Sequence, residues 1–184
     1  MRSLSRLAAL GVCLLSTSAF AEMVENPAYA NWAKFKVGTS LTYSSEMQMQ
    51  GMNMKSEMTQ KLATLDADKA QIEMKMRANN MDMPPQTITI PAKVEKTQVQ
   101  PEPALPPGMK GEVKVLGKEK LSVAGKELEC QVVQFTSEQD GQKLTGKSWT
   151  SEQVPGGLVK TETTLPGDGA GRNTMTLTAM DLKQ

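Results

Sequence analysis

Histidine is absent from this chain of 184 residues. Its absence removes the usual general base at neutral pH, the Ser/His and Cys/His nucleophile pairs, and nearly all zinc and non-haem iron sites, which lean on imidazole. Cysteine is almost as scarce, with only Cys13 and Cys130. Aromatic side chains make up 4% of the sequence, so the bulk a core needs has to come from other residues. Acids and bases are balanced at 20 and 21 and interleave, as in Lys118-Glu119-Lys120. Without a basic stripe to neutralise phosphates, nucleic acid is not an expected partner. The carboxylates are scattered among lysines, and no pair stands out for acid–base work. The chain reads as non-catalytic and calls for no cofactor.

What is present begins with an export signal. Arg2 and Arg6 supply a positive end, Leu7 to Leu15 a short apolar run, and Ala19 and Ala21 the small side chains that a signal peptidase accepts. The run is too short to span a membrane, and cleavage is expected after Ala21. A lipid anchor on Cys13 is a poor match, because Val12 stands where a small residue is needed and cutting there would split the apolar run. Residues 1–21 are thus a signal peptide, and the mature protein is expected in the periplasm or outside the cell. Residues 22–184 contain no further apolar segment of membrane-spanning length. Losing Arg2 and Arg6 takes the formal charge from +1 to −1, and Cys130 is left as a lone thiol that cannot form an internal disulfide.

The mature chain punctuates itself as strands and turns, and we expect one mainly β, antiparallel domain. Asn26-Pro27 opens a short helix, with Asn as N-cap and Pro at the first helical position; Tyr29, Trp32 and Phe35 recur on one face and Gly38 lies past its end. Leu41–Gln50 and Met52–Leu62 alternate about Gln50-Gly51 as a hairpin. Further strands are expected over Ala70–Ala78 and Gln86–Ile90. Seven of the ten prolines lie between Pro84 and Pro107, and residues from about 84 to 108 read as a connector between two sheet-forming halves. Beyond it, Glu119–Val123, Glu127–Ser137, Lys143–Thr150, Leu158–Thr164 and Asn173–Leu182 predict an antiparallel meander.

Methionine is the abundant oddity, with 14 residues, most of them crowded between Met47 and Met83. If Gln50-Gly51 is a two-residue loop, Met49 faces Met52, Met47 faces Met54 and Tyr43 faces Met58, all on one side of the hairpin. Met74 and Met76 extend that side only if the next turn has the right parity. Three uses fit such a face. It can be a core in which Met replaces aromatic bulk. It can be a concave surface of adaptable side chains for an apolar ligand such as a lipid, an acyl chain or a lipoprotein, with Tyr43, Met47, Met49, Met52, Met54, Met58, Met74 and Met76 as its candidate lining. Or it can be a soft-metal site, with Met47, Met49, Met52 and Met54 as candidate copper(I) ligands.

Other candidates are weaker. Leu128, Cys130 and Val132 share a strand face, so Cys130 reads as a small buried hydrophobe rather than a reactive thiol. Asp66 and Asp68 begin like a calcium loop, but Ala70 stands at a ligand position and Arg77 at the closing acid. Gly167, Gly169 and Gly171 lead into a strand and not a helix, so they read as a hairpin tip. Trp149 and the Val154–Leu158 turn read as sheet-corner packing.

Residues Val123 to Glu162 carry a recognisable order: Ala124-Gly125, Leu128-Glu129-Cys130, Asp140-Gly141, Lys147-Ser148-Trp149, and Val154-Pro155-Gly156-Gly157-Leu158 through Glu162. This order resembles a group of secreted bacterial proteins of unassigned function that are similar to the LolA/LolB lipoprotein-carrier superfamily. The resemblance implies a strongly curved antiparallel sheet or half-barrel whose concave face can hold acyl groups. It carries over no individual functional residue.

Overall fold

Successive side chains point to opposite faces along the strands of the described residues, and the backbone follows that period of two. The computed structural model describes residues 22–79, 81–96, 111–139, 142–165 and 171–183. The expected signal peptide and residues 97–108 of the expected connector lie outside these residues. In chain order the elements are β1 (Met23–Glu25), α1 (Pro27–Trp32), β2 (Ser40–Met49), β3 (Met52–Leu65), β4 (Lys69–Ala78), β5 (Met81–Asp82), β6 (Gln86–Pro91), β7 (Lys93–Glu95), β8 (Gly111–Val123), β9 (Lys126–Gln139), β10 (Gln142–Thr150), β11 (Leu158–Leu165) and β12 (Gly171–Asp181).

Two meanders make one ten-stranded antiparallel sheet. The first runs β2-β3-β4, with β5 and β6 sharing the far side of β4. The second runs β8 to β12. They are stitched together where β12 pairs with β2, from Gly171 opposite Met49 to Asp181 opposite Ser40. The short β1 and β7 form a separate pair. Part of the stretch expected to be a connector is therefore strand. Pro84-Pro85 interrupts the edge between β5 and β6, the one place in a sheet where a missing N–H faces solvent and costs no ladder bond. The opposite edge, β8, begins earlier than its alternation suggested, at Gly111. It carries a bulge beside Leu116 and a run of charged residues, both devices that discourage edge-to-edge association.

The sheet is curled without closing. Strands β8 and β12 are four steps apart in the sheet, which in a flat sheet separates them by about 19 Å, yet their Cα atoms approach within 8 Å. Bulges that interrupt the β2–β12, β3–β4, β10–β11 and β8–β9 ladders supply the local twist such curvature needs.

Helix α1 bridges the two halves. The Asn26 side chain caps it by accepting from Ala28 N–H at 3.1 Å. Tyr29 Oη donates to the Asp66 carbonyl at 2.6 Å, in the first meander, and Asn31 Oδ1 accepts from Gly156 N–H at 2.7 Å, in the second. Trp32 is buried in a cluster with Leu41, Tyr43, Leu62, Ile72, Leu128, Cys130, Trp149, Val159 and Leu177. Each fully buried leucine in that cluster contributes about 1.5–3 kcal/mol through lost apolar exposure. Strand β9 is buried on both sides, with Leu128, Cys130 and Val132 in the main cluster and Val133, Phe135 and Ser137 on the other face.

Candidate binding face

The geometry of the methionine face starts at one turn. Gln50 (φ 48°) and Gly51 (φ 79°) both occupy the left-handed region, the requirement of a two-residue type I′ hairpin loop. That loop fixes the register: Met49 pairs with Met52, Met47 with Met54 and Tyr43 with Met58. All six therefore project from the same side of β2 and β3.

A bulge then decides where β4 points. Leu65 pairs with Ala70 and Thr64 with Gln71, but past Ala63 the register shifts and Leu62 pairs with Ile72. Without that extra residue, the lysine- and arginine-bearing side of β4 would lie opposite Met58. With it, Met58 pairs with Met76 and Gln60 with Met74. The edge adds more sulfur. Met83 N–H donates to the Met76 carbonyl at 2.8 Å, and Met81 pairs with Ala78. Ile88 and Ile90 pair with Ile72 and Ala70 on the same side.

The eight candidate residues thus share one face, and burial grades along it. Tyr43 is buried, its hydroxyl donating to the Leu158 carbonyl at 2.9 Å. That low-dielectric setting pushes its phenol pKa well above the ordinary range. Met58 and Met74 are partly buried against the core cluster. Toward the hairpin tip and the free edge the face opens: Met54 and Met76 are each 38% exposed, Met52 58% and Met81 69%. Met47 and Met49 are intermediate and lie outside the core cluster. The face is a filled core at one end and an uncovered thioether surface at the other. Met81 and Met83, absent from the candidate lining, belong to it; the alternation Met81-Asp82-Met83 in the sequence is the signal that marks them.

The opposite side of the same strands is polar. A shallow depression of about 570 Å³ there is lined by Ser44, Asn53, Lys55, Glu57, Arg77 and Asn79. Its cations are already engaged, Lys55 with Glu46 at 2.8 Å and Arg77 with Asp82 at 2.8 Å. The remaining candidates have structural roles. Cys130 is buried, and its thiol pKa is raised first by desolvation and then by Glu119. Asp66 Oδ1 accepts from the N–H groups of Asp68 and Lys69, both at 3.0 Å, which occupies it in shaping the turn. Trp149 is buried, donates its indole N–H to Glu119, and carries the Lys160 ammonium 4.9 Å from its ring centre. Gly167 and Gly169 lie outside the described residues. Among the described residues, no three His, Cys, Asp or Glu side chains converge as a metal site.

No protein-family model matches the chain, and no curated protein matches it. Solved structures do. A candidate exported protein with a YmcC-like fold from Bacteroides fragilis superposes with a TM-score of 0.50 at 8% identity, over 80% of this chain and 97% of its own. A candidate lipoprotein from Parabacteroides distasonis superposes at 0.49 with 10% identity, over 79% and 96%. The Pseudomonas aeruginosa MucA/MucB complex gives 0.41 at 12% identity, over 86% of this chain and 58% of that one. The curled half-barrel is of the LolA/LolB-like kind. At these identities, the shared property is the fold.

Proposed function

We propose that this is an exported, non-catalytic protein of the periplasm or cell exterior that binds an apolar ligand on its methionine-rich face. The ligand is the acyl portion of a lipid or lipoprotein. The observation that supports this reading is the burial gradient: a cross-strand apolar row that starts inside the core at Tyr43 and Met58 and continues through Met76 to exposed Met83, flanked on the same face by Gln60 and by the Ser45–Ser56 pair. A purely structural face would be covered along its length, since exposed apolar area of this extent has a cost in solubility. Unbranched thioether side chains re-pack around guests of different shape, which suits a ligand defined by its acyl chains.

The test is saturable binding of a fluorescent fatty acid to delipidated mature protein, with Met76→Lys/Met83→Lys as the disabled variant. Placing two ammonium groups on the face should weaken binding by about tenfold or more, because each resists desolvation. Absence of saturable binding to the folded wild-type protein would remove the reading.

A further inference from the structure

We propose that the tip of the β2–β3 hairpin is a soft-metal site that holds one copper(I) ion through the thioethers of Met47, Met49, Met52 and Met54. These four residues form two adjacent rungs on one face, Met49 opposite Met52 and Met47 opposite Met54, while Gln48 and Asn53 between them point to the other side. Core packing does not account for them. Met58, Met74, Met175 and Met180 pack against the core cluster, and these four do not.

The dimensions suit a single ion. Directly paired residues have α-carbons about 5.5 Å apart and successive same-face residues about 6.8 Å, so the centre of the quartet lies about 4.4 Å from each α-carbon in plane. A methionine side chain lifting its sulfur toward that centre closes the gap with a metal–sulfur bond of about 2.3 Å. Neighbouring β12 places Gly171, without a side chain, opposite Met49, and Asn173 opposite Met47 with its carboxamide oxygen already accepting from Ser45 Oγ at 2.8 Å. A β-carbon placed on Gly171 would sit 3.4 Å from Met49 Cβ and Cγ.

The donor chemistry selects the metal. Thioethers are neutral, soft and polarizable, the ligand type suited to copper(I); they are poor ligands for calcium and magnesium. The chain has no histidine to recruit copper(II) or zinc. Glu46 and Lys55, the nearest charges on these strands, project from the opposite face and pair with each other. A monovalent ion in a neutral cage at a half-exposed tip can be loaded and surrendered without unfolding the sheet.

The site is tested with the metal alone, copper(I) under anaerobic conditions and silver(I) as its redox-inert stand-in. The readout is mature protein carrying ¹³C-labelled methionine methyl groups, with no lipid present, so the outcome is independent of acyl binding. We expect saturation at one ion per chain, with the signals of Met47, Met49, Met52 and Met54 moving and those of Met58 and Met74 still. Met47→Leu/Met49→Leu/Met52→Leu/Met54→Leu keeps the apolar bulk, removes the sulfur, and should abolish the shifts. If that variant fails to fold, Met52→Leu alone, at the most exposed of the four positions, should weaken binding about tenfold in competition with a copper(I) chelator. Folded wild-type protein whose quartet signals do not move, shifts spread over all methionines alike, or unchanged affinity in Met52→Leu would each overturn the site.

Discussion

Tyr43 on β2 donates its hydroxyl to the carbonyl of Leu158 on β11 at 2.9 Å, reaching across β12 and joining the first meander to the second. The bond is made inside the core, with Tyr43 and Leu177 both buried around it. Tyr43→Phe keeps the packing and removes the donor, and should cost about 1 kcal/mol in urea unfolding. The pH dependence has a definite sign. Burial raises the phenol's folded pKa, so the native state holds this proton more tightly than the unfolded chain does. Its contribution is complete below the unfolded value of about 10 and is lost as pH rises above it. The urea midpoint should therefore fall more steeply above pH 10 in the wild type than in Tyr43→Phe. Parallel profiles would show that Tyr43 is not the group responsible.

Gly146 on β10 lies under the ring of Phe135. A β-carbon there would come within 2.5 Å of Phe135 Cζ and 2.4 Å of the Glu162 carbonyl oxygen. Gly146→Ala should destabilise by about 1–3 kcal/mol through overpacking. Phe135→Leu in the same chain should recover part of that loss, since it relieves the ring contact but not the backbone one. A double-mutant cycle with no coupling between the two positions would contradict this packing.

The bulge beside Ala63 has a direct chemical test. Met58→Cys with Met76→Cys puts two thiols at directly paired positions, within the Cα separation of about 4.4–6.8 Å that a disulfide needs. The neighbouring pair, Met58→Cys with Arg77→Cys, puts them on opposite faces. Mild oxidation should cross-link the first and not the second, read by mass spectrometry on unreduced protein. The reverse pattern would mean that β4 pairs with β3 one residue out of step.

The hairpin rungs were legible in the sequence because Gln50-Gly51 leaves a two-residue loop almost no choice of register, and period two then fixes every pair down to Tyr43 and Met58. The placement of Met74 and Met76 was not, because it depends on a single bulged alanine that carries no signature in composition or spacing. The curl was implied by the family resemblance that the order of motifs from Val123 to Glu162 carries. The bridge that α1 makes between its two halves was not, since the bonds from Tyr29 and Asn31 to Asp66 and Gly156 join residues with sequence separations of 37 and 125. The interrupted edge at Pro84-Pro85 was legible as a break. The strand beyond it was legible too, in the alternation of Gln86–Ile90; its partner, the Lys69–Met74 stretch of β4, was not.

If α1 holds the curl, loosening it should expose the methionine face before the sheet itself is lost. Gly156, at φ 72°, meets the helix where an added β-carbon would sit 3.1 Å from Trp32 Nε1. Gly156→Ala should therefore cost about 1–2 kcal/mol from the left-handed backbone alone, with crowding of Trp32 adding to it. Trp32→Ala, which empties a buried position, should cost about 3–5 kcal/mol. Both variants should bind a hydrophobic reporter dye more strongly than the wild type, while far-ultraviolet circular dichroism keeps its β signature. Equal dye binding in Trp32→Ala and wild type, with the stability loss present, would mean that the strand pairing of β12 with β2 maintains the curl without the helix.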